Sequence, residues 1–304
     1  MAAFLYHLFS SSSLLSLGLY HSVSATRAHL KSPSTYAAKP YHPLPASAHP
    51  RLRPLQLYLA LLCLLVAFCH QAISSSDSDP LLKGSTPVHR FSSLQSASVL
   101  LLFLLLSLSL LLSDLLPSLL PLPHDLFFAL ASAAFFLQSS SSSSAASFQI
   151  SDLQAKCDSV SALVSALSSL LCLALACSPR LFVADVALGA SICLQGLWSL
   201  QTGLSLYVEA FIPEGCHKLL DVVNGVEGST KCDLEESRLR AVAILDLVFV
   251  VHVMFVVVIV IVVYAAVAKS VGVRRMGSYE ALPTTGDRDA NNHIQMKALT
   301  GTQA

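Results

Sequence analysis

Seven long stretches without charged residues alternate with shorter polar segments along this chain of 304 residues. The stretches are 21 to 26 residues long and cover residues 1–26, 54–76, 91–113, 126–151, 159–179, 186–208 and 247–268. A helix needs about 20 apolar residues to cross the roughly 30 Å hydrocarbon core of a bilayer. An ionised side chain near the centre of such a helix costs about 2.5–3.5 kcal/mol. The pattern therefore predicts an all-α fold, a polytopic bundle of seven transmembrane helices.

The membrane domain predicted from this pattern covers residues 1–268. Its spans lie near residues 4–25, 55–76, 92–113, 126–147, 158–178, 186–208 and 247–268. Prolines within 115–124 predict a turn between the third and fourth spans, because proline removes a backbone donor and clashes with the preceding helical turn. Residues 269–304 are polar and lack hydrophobic periodicity, which is typical of a disordered tail.

The fourth span admits two interpretations, because a run of serines occupies 139–144. Serine hydroxyls can bond to backbone carbonyls within a helix, so the run can complete the span. A flexible lumenal loop that follows a short or tilted helix fits the same residues.

The composition agrees with a membrane protein. Of the residues, 54% are hydrophobic and 12% are charged, against about 25% charged residues in a typical soluble domain. The formal net charge is +0, so the chain has no general attraction to nucleic acid. We expect its surroundings to be the lipid bilayer, in a membrane of the secretory pathway or in the plasma membrane.

Lysine and arginine residues are unevenly divided between the two sides of the predicted bundle. Segments 27–53, 114–125, 180–185 and 269–304 share one side and hold 11 of them, whereas the opposite side holds seven. Basic residues on short loops favour the cytoplasmic side. We therefore predict the N-terminus outside and the C-terminus inside, with a cytosolic tail. The basic loop 27–53 would either lie on anionic lipid headgroups or act only as topological charge.

The first stretch resembles a signal peptide in part. Residues 14–19 form an apolar core, and Val23-Ser24-Ala25 has the small residues of a cleavage site. However, no lysine or arginine precedes the core, and His7 and a serine run interrupt it. We favour a retained first helix, with cleavage of residues 1–25 as the alternative.

Two of the eight cysteines lie in a polar loop, 209–246, between the last two spans. Cys216 and Cys232 enclose 15 residues there, and on the oxidising side of the membrane they would form a disulfide that staples the loop. The other cysteines fall in or beside predicted spans, where we expect them to behave as small hydrophobic residues.

The sixth span has the most specific pattern. Gly189, Gly196 and Gly203 recur every seven residues, and two helical turns advance about 7.2 residues, so the glycines form one stripe. Such a stripe lets the backbone of another helix approach closely. Polar and aromatic side chains accompany it, namely Gln195, Trp198 and Gln201. We favour helix packing with hydrogen bonds between helices; a solute-binding site is the alternative.

Ionisable side chains inside predicted spans are functional candidates by default. Four histidines lie within spans and four acidic residues lie at span ends: His7, His21, His70, His252, Asp114, Asp185, Glu209 and Asp246. The strongest candidate is His252, six residues into the last span, with Gln201 or Glu209 as its expected partner. We predict a neutral histidine with a hydrogen bond between helices; a proton relay or a metal ligand is the alternative.

Part of the chain resembles a known family. The string Leu194-Gln195-Gly196-x-Trp198-x-x-Gln201-x-Gly203 is similar to the signature of the transmembrane protein 45 family, also called domain of unknown function 716. Residues 209–228 and 232–252 look like the plant branch of that family. The resemblance covers about 186–268 and implies a seven-helix membrane protein, without supplying a mechanism.

The resemblance also has a departure. Other members of the family place histidines and a glutamate in the third to fifth spans. At comparable places this chain has Gln95, Ser96, Gln138 and the serine run. If the family residues form a metal or proton site, the resemblance implies that part of it is missing here.

Motifs of soluble enzymes are absent from the sequence. It has no glycine-rich loop ending in Gly-Lys-Ser/Thr, no His-Glu-x-x-His, no Cys-x-x-Cys and no Gly-x-Ser-x-Gly. We therefore predict that the chain is not an enzyme. The sequence assigns no catalytic residue, no cofactor and no metal ligand.

The predicted function is that of a membrane-resident structural or trafficking component. Tyr279 and Leu282 in the tail fit the tyrosine-x-x-hydrophobic pattern read by membrane-traffic adaptors, which makes such adaptors candidate partners. The alternative is a transporter or channel for a proton, a metal ion or a small solute, which discontinuous helices at mid-membrane would favour. The sequence leaves the ligand, the organelle and the oligomeric state open.

Overall fold

The computed structural model describes residues 2–44, 53–74, 88–149, 151–221 and 226–272. These residues form seven α-helices and one two-stranded antiparallel sheet. The helices are α1 (Ala2–Lys31), α2 (Leu55–Ser74), α3 (Val88–Leu115), α4 (His124–Phe148), α5 (Asp152–Cys177), α6 (Phe182–Tyr207) and α7 (Glu235–Val271). The strands are β1 (Cys216–Asp221) and β2 (Val226–Cys232), and both lie between α6 and α7.

The prediction of an all-α architecture is confirmed, with the small sheet as its one addition in the described residues. Five of the helices, namely α2, α3, α5, α6 and α7, are long and apolar enough to cross a membrane. Serine runs interrupt the apolar pattern of α1 and α4, which lowers the hydropathy of these two helices. Crossing of the bilayer by α1 and α4 therefore stays a prediction.

The helices pack mainly in pairs. The most extensive contacts join α1 to α6 and α4 to α5, and α2 lies against α3. One apolar cluster surrounds Trp198 where α5, α6 and α7 meet, and a second surrounds Phe128 where α4, α5 and α6 meet. The core of the bundle therefore runs along α5 and α6.

Helix α7 lies at the periphery of the bundle. Only 6% of the residues in its apolar window are buried, and large side chains such as Met254 and Ile261 are more than half exposed. Glu235 and Glu236 occupy its first turn and Lys269 its last, which suits the helix dipole. An apolar surface of this length is suited to lipid rather than to water.

Serine side chains join the middle helices. The hydroxyl of Ser132 on α4 donates to the Ser169 carbonyl on α5, and the Ser169 hydroxyl donates back to the Ser132 carbonyl. Within the run 139–144, the Ser139 hydroxyl donates to the Ala162 carbonyl on α5. Since α4 continues to Phe148, the run is helical, as the first of the two interpretations expects.

The connection from α1 to α2 folds back into the bundle. Tyr36, Ala38 and Tyr41 are buried, and the Ala38 backbone N–H donates to the Pro179 carbonyl between α5 and α6. This segment was expected to lie on lipid headgroups or to act as topological charge alone. The described part, 32–44, packs against helices, because its tyrosines reach apolar and polar partners inside the bundle. The two interpretations of its basic residues stay predictions.

The connection from α6 to α7 contains the small sheet. Cys216 and Cys232 are register partners on β1 and β2, and a disulfide joins them. Both residues pack against the cluster around Trp198. The hairpin therefore covers one end of α5, α6 and α7.

Candidate functional site

The glycine stripe of α6 faces α1. A Cβ atom added at Gly18 on α1 would lie 2.7 Å from the Gly189 carbonyl oxygen, closer than real Cβ contacts allow. Gly196 and Gly203 also face α1, where an added Cβ would meet side-chain or backbone atoms at 3.0 Å or less. The absence of side chains at these positions brings the two backbones close together, and it places polar groups of α1 and α6 within hydrogen-bond distance.

A buried pair of polar side chains lies at one end of this contact. His21 Nε2 on α1 is 2.8 Å from Asp185 Oδ1 on α6, and the exposed fractions of the two residues are 4% and 0%. Asp185 occupies the first turn of α6, where the positive end of the helix dipole stabilises a carboxylate. The Tyr36 hydroxyl donates a short hydrogen bond to Asp185 Oδ2. Both carboxylate oxygens therefore have partners.

His42 completes the cluster from the α1–α2 connection. Its ring centroid lies 5.4 Å from that of His21. Two hydrogen bonds hold its backbone: the Tyr20 hydroxyl donates to the His42 carbonyl, and the His42 N–H donates to Gln56 Oε1. Within the described part of the chain, the buried Nε2 atom of His42 has no hydrogen-bond partner.

Burial and neighbouring charge decide the protonation of Tyr36 and His42 in the α1–α2 connection. Burial and the Asp185 carboxylate raise the pKa of Tyr36, so its hydroxyl keeps the proton that it donates. Burial lowers the pKa of His42 to about 4, and the neighbouring His21 acts in the same direction. The His42 imidazole is therefore neutral at neutral pH and offers a nitrogen lone pair.

An apolar cavity of about 150 Å³ lies beside this cluster. His21 and Tyr41 form part of its wall, together with leucine, isoleucine, phenylalanine and alanine side chains from α1 to α6. Gln56 and Ser107 add polar atoms. The cavity is similar in volume to cavities that hold a benzene-sized molecule.

His21, His42 and Asp185 could together hold a metal ion. Each offers one nitrogen or oxygen ligand atom, and these atoms all lie within 4.8 Å of one another. The sequence assigned no metal ligands to the chain. His21 and Asp185 were among its candidate ionisable residues, but the sequence did not predict that they meet.

The structure places the other predicted residues of α6 in packing roles. Trp198 is fully buried, and its Nε1–H donates to the Cys157 carbonyl on α5 at 2.9 Å. Gln201 donates to the Ser205 hydroxyl on its own helix. In the described residues, the buried Gln195 Oε1 has no hydrogen-bond partner.

His252 differs from its prediction. Its Nδ1–H donates at 2.7 Å to the Val248 carbonyl on its own helix. Its ring centroid lies 6.3 Å from that of Trp198, with the two ring planes nearly perpendicular. The expected partners, Gln201 and Glu209, do not supply this bond. A backbone carbonyl one turn away is the partner of Nδ1 in the structure.

Other predicted sites lie at the ends of the domain. Cys216 and Cys232 form the disulfide described above. The tail residues Tyr279 and Leu282 lie outside the described residues.

Sequence reasoning missed Tyr36 and His42. Both lie in a proline-containing connection that was interpreted by its charge, and nothing in the local pattern shows that the segment folds back. One signal was present: aromatic and histidine residues recur within 36–42 between two spans. Such residues are suited to an interior position more than to a solvated loop.

Residues 124–265 match the model of a family described as "Family of unknown function (DUF716)". The match runs from the first residue of α4 into α7 and includes Asp185 and the glycine stripe, whereas His21 and His42 precede it. It supports similarity to the DUF716 family for this part of the chain. No curated protein matches the chain at a significant level.

Proposed function

We propose that this chain is a DUF716 protein of the plant-type transmembrane protein 45 branch and acts as a membrane-resident structural or trafficking component. It would cross the bilayer seven times, with the N-terminus outside and the C-terminus in the cytosol, and would not be an enzyme. The membrane would belong to the secretory pathway or be the plasma membrane.

The apolar helices support integration into a membrane. Five helices have the length and hydropathy of spans, and α7 presents large apolar side chains on its exposed surface. In water this surface would favour aggregation, whereas in lipid it is solvated.

A crossing by α1 is supported by its contacts at the two ends of the bundle. Gly203 near the end of α6 faces His7 near the start of α1. At the other end, the Ala38 N–H after α1 donates to the Pro179 carbonyl before α6. Helix α1 therefore runs antiparallel to α6 over the full bundle, although its serines lower its hydropathy.

The outward position of the N-terminus has two independent supports. The side that holds segments 27–53 and 269–304 has 11 lysine and arginine residues, against seven on the opposite side. This excess favours it as the cytosolic side. The disulfide hairpin lies at the opposite end, where the Ser151 hydroxyl before α5 donates to the Thr230 carbonyl of β2. A disulfide persists in an oxidising compartment, which supports a position outside the cytosol for this end.

The same contacts support retention of the first helix. Gly18 and His21 supply the α1 side of the close contact with α6 and of the pair with Asp185. Cleavage after residue 25 would remove both and leave the Asp185 carboxylate with Tyr36 alone.

The observation that carries the structural role is that buried polar side chains join neighbouring helices. Ser132 on α4 bonds with Ser169 on α5, and Trp198 on α6 donates to a carbonyl of α5. The cavity beside His21 is walled mainly by apolar side chains. A path for a polar solute needs polar groups along its length, and the described residues instead use them to join helices.

A flux measurement tests this proposal. The purified full chain is reconstituted into sealed vesicles, and entry of protons and of divalent cations is followed with indicators inside the vesicles. We expect rates equal to those of protein-free vesicles. A protein-dependent flux that Asp185→Asn abolishes would overturn the structural role and establish the transporter alternative.

The trafficking role has its own test in the tail. Tyr279→Ala should redistribute the full-length protein among cell membranes if adaptors bind the tyrosine motif, and the matched change Tyr264→Phe in α7 should not. An unchanged distribution would remove the tail motif from the proposal and leave the structural role alone.

The second candidate function is a carrier for a proton or a metal ion. One observation favours it: the cluster of His21, His42 and Asp185 is buried among membrane helices, where ionisable groups are costly and commonly functional.

A further inference from the structure

We propose that His21, His42 and Asp185 bind a divalent transition-metal ion, and that Zn²⁺ suits the three ligands best. This site goes beyond the structural role proposed above, because it assigns a ligand to the bundle. It would join three separate elements of the chain: α1, the α1–α2 connection and α6.

The distances are compatible with one ion. The three ligand atoms lie within 4.8 Å of one another, and His21 Nε2 is 2.8 Å from Asp185 Oδ1. Tetrahedral zinc, with bonds of about 2.0–2.1 Å, separates its ligand atoms by about 3.3 Å. Binding would therefore part His21 Nε2 from Asp185 Oδ1 by about 0.5 Å, a change within reach of side-chain rotation.

The chemistry of the ligands selects the ion. Two imidazole nitrogens and one carboxylate oxygen form a set of borderline donors that zinc and its neighbours in the first transition row prefer. Calcium and magnesium prefer six or more oxygen ligands, and this cluster supplies too few of them. Metal binding requires the neutral form of each imidazole, which has a free nitrogen lone pair.

The environment of His42 is the second observation that points to a ligand. Its Nε2 atom is buried, and no group in the described part of the chain bonds to it. A buried polar atom without a partner costs about 1–3 kcal/mol. The two backbone hydrogen bonds from Tyr20 and to Gln56 nevertheless hold His42 against the cluster. A bound metal ion would satisfy this nitrogen.

Neighbouring groups orient the ligands as they do in established metal sites. The Tyr36 hydroxyl donates to Asp185 Oδ2, which leaves Oδ1 as the oxygen that faces His21. Partners of this kind fix the direction of a ligating carboxylate. In the metal-free arrangement His21 Nε2 donates a hydrogen bond to Asp185 Oδ1. On metal binding the proton would move to His21 Nδ1, so that the imidazole stays neutral and Nε2 binds the ion.

Three protein ligands leave a fourth position on tetrahedral zinc. His21 also lines the apolar cavity, so a water molecule could occupy that position from the cavity side. Zinc with two neutral imidazoles and one carboxylate keeps one positive charge. That charge favours a bound water molecule or a small anion at the fourth position.

The test uses the full-length protein purified in detergent, stripped with a chelator and then titrated with Zn²⁺ or Co²⁺. We expect one equivalent of Zn²⁺ to bind and to raise the thermal unfolding temperature, and Co²⁺ to give the visible absorption of a tetrahedral site. His42→Gln should weaken Zn²⁺ binding by more than about 100-fold, because even loss of a supporting partner costs about 10- to 100-fold. Tyr36→Phe should weaken it by about 10-fold.

Two further variants make the result specific. His7→Gln, a matched change in the same helix away from the cluster, should leave Zn²⁺ affinity unchanged. His42→Cys should retain binding, and with Co²⁺ it should add a thiolate charge-transfer band that only a direct ligand can produce. Binding that survives in His42→Gln, or the absence of stoichiometric binding in the native chain, would overturn the site.

Discussion

His21 and Asp185 lie 164 residues apart in the chain and 2.8 Å apart in the structure. Their contact depends on the close approach of α1 and α6, which the glycines of both helices permit. It is reinforced by Tyr36, which reaches the same carboxylate from the α1–α2 connection. Three elements therefore meet at one buried carboxylate, and the predictions below concern the arrangement that brings them there.

The orientation in the membrane predicts a protease pattern. A protease added to the cytosolic face of sealed membranes should remove the tail after Lys269, because basic residues favour that side as cytosolic. Residues 209–240 should remain intact in the same sample and become sensitive only after the membrane is opened. A protected tail together with digestion of 209–240 would show the inverted orientation.

The hairpin predicts a pattern of cysteine labelling on intact cells. Cys216 and Cys232 should resist a membrane-impermeant maleimide until a reductant is added, because the disulfide joins them on the outer side. The variant Cys216→Ser should expose Cys232 to the reagent without reductant. Labelling of the native hairpin before reduction would contradict the disulfide.

The glycine stripe predicts a cost for added side chains. Gly196→Leu should lower the free energy of unfolding by about 1–3 kcal/mol, the usual range for overpacking. The cause is the backbone nitrogen of Leu15, which lies 3.0 Å from the position of an added Cβ. Thermal unfolding of the detergent-solubilised protein measures the effect.

Two changes on the same helix serve as controls. Val183→Leu adds bulk at a position that is 77% exposed, and it should have little effect. Leu197→Val removes one methylene and should cost no more than about 1.5 kcal/mol. Equal stability of Gly196→Leu and Val183→Leu would mean that the stripe faces lipid rather than α1.

The sequence predicted the features that depend on local pattern. The length and spacing of apolar stretches predicted helices at seven places, and the seven-residue spacing of Gly189, Gly196 and Gly203 predicted a face that packs closely. These properties follow from the number of residues in a helical turn and from the thickness of a bilayer.

The partners of these features could not be predicted in the same way. Periodicity shows which face of α6 packs but does not show that α1 packs against it. It also favoured His252, which has a carbonyl partner on its own helix, over His21. The contribution of Tyr36 and His42 required a connection that folds back, which depends on tertiary contacts such as the bond from Ala38 to Pro179.

The central claim is that His21 on α1 and Asp185 on α6 form a buried pair that holds the bundle together. A double-mutant cycle tests it with the native protein, His21→Leu, Asp185→Leu and the double variant, all in detergent with a metal chelator present. Breaking a buried pair by removing one partner costs about 3–5 kcal/mol in unfolding free energy, because the other partner stays buried and loses its bond.

The quantity to measure is the coupling free energy between the two substitutions. We predict that the double variant is more stable than the sum of the single effects implies, by at least about 1 kcal/mol, within the range found for residues in contact. If the sum of the two single effects equals the effect of the double variant to within about 0.3–0.5 kcal/mol, the two residues behave as residues that do not touch. That result would contradict the pairing of α1 with α6 at His21 and Asp185.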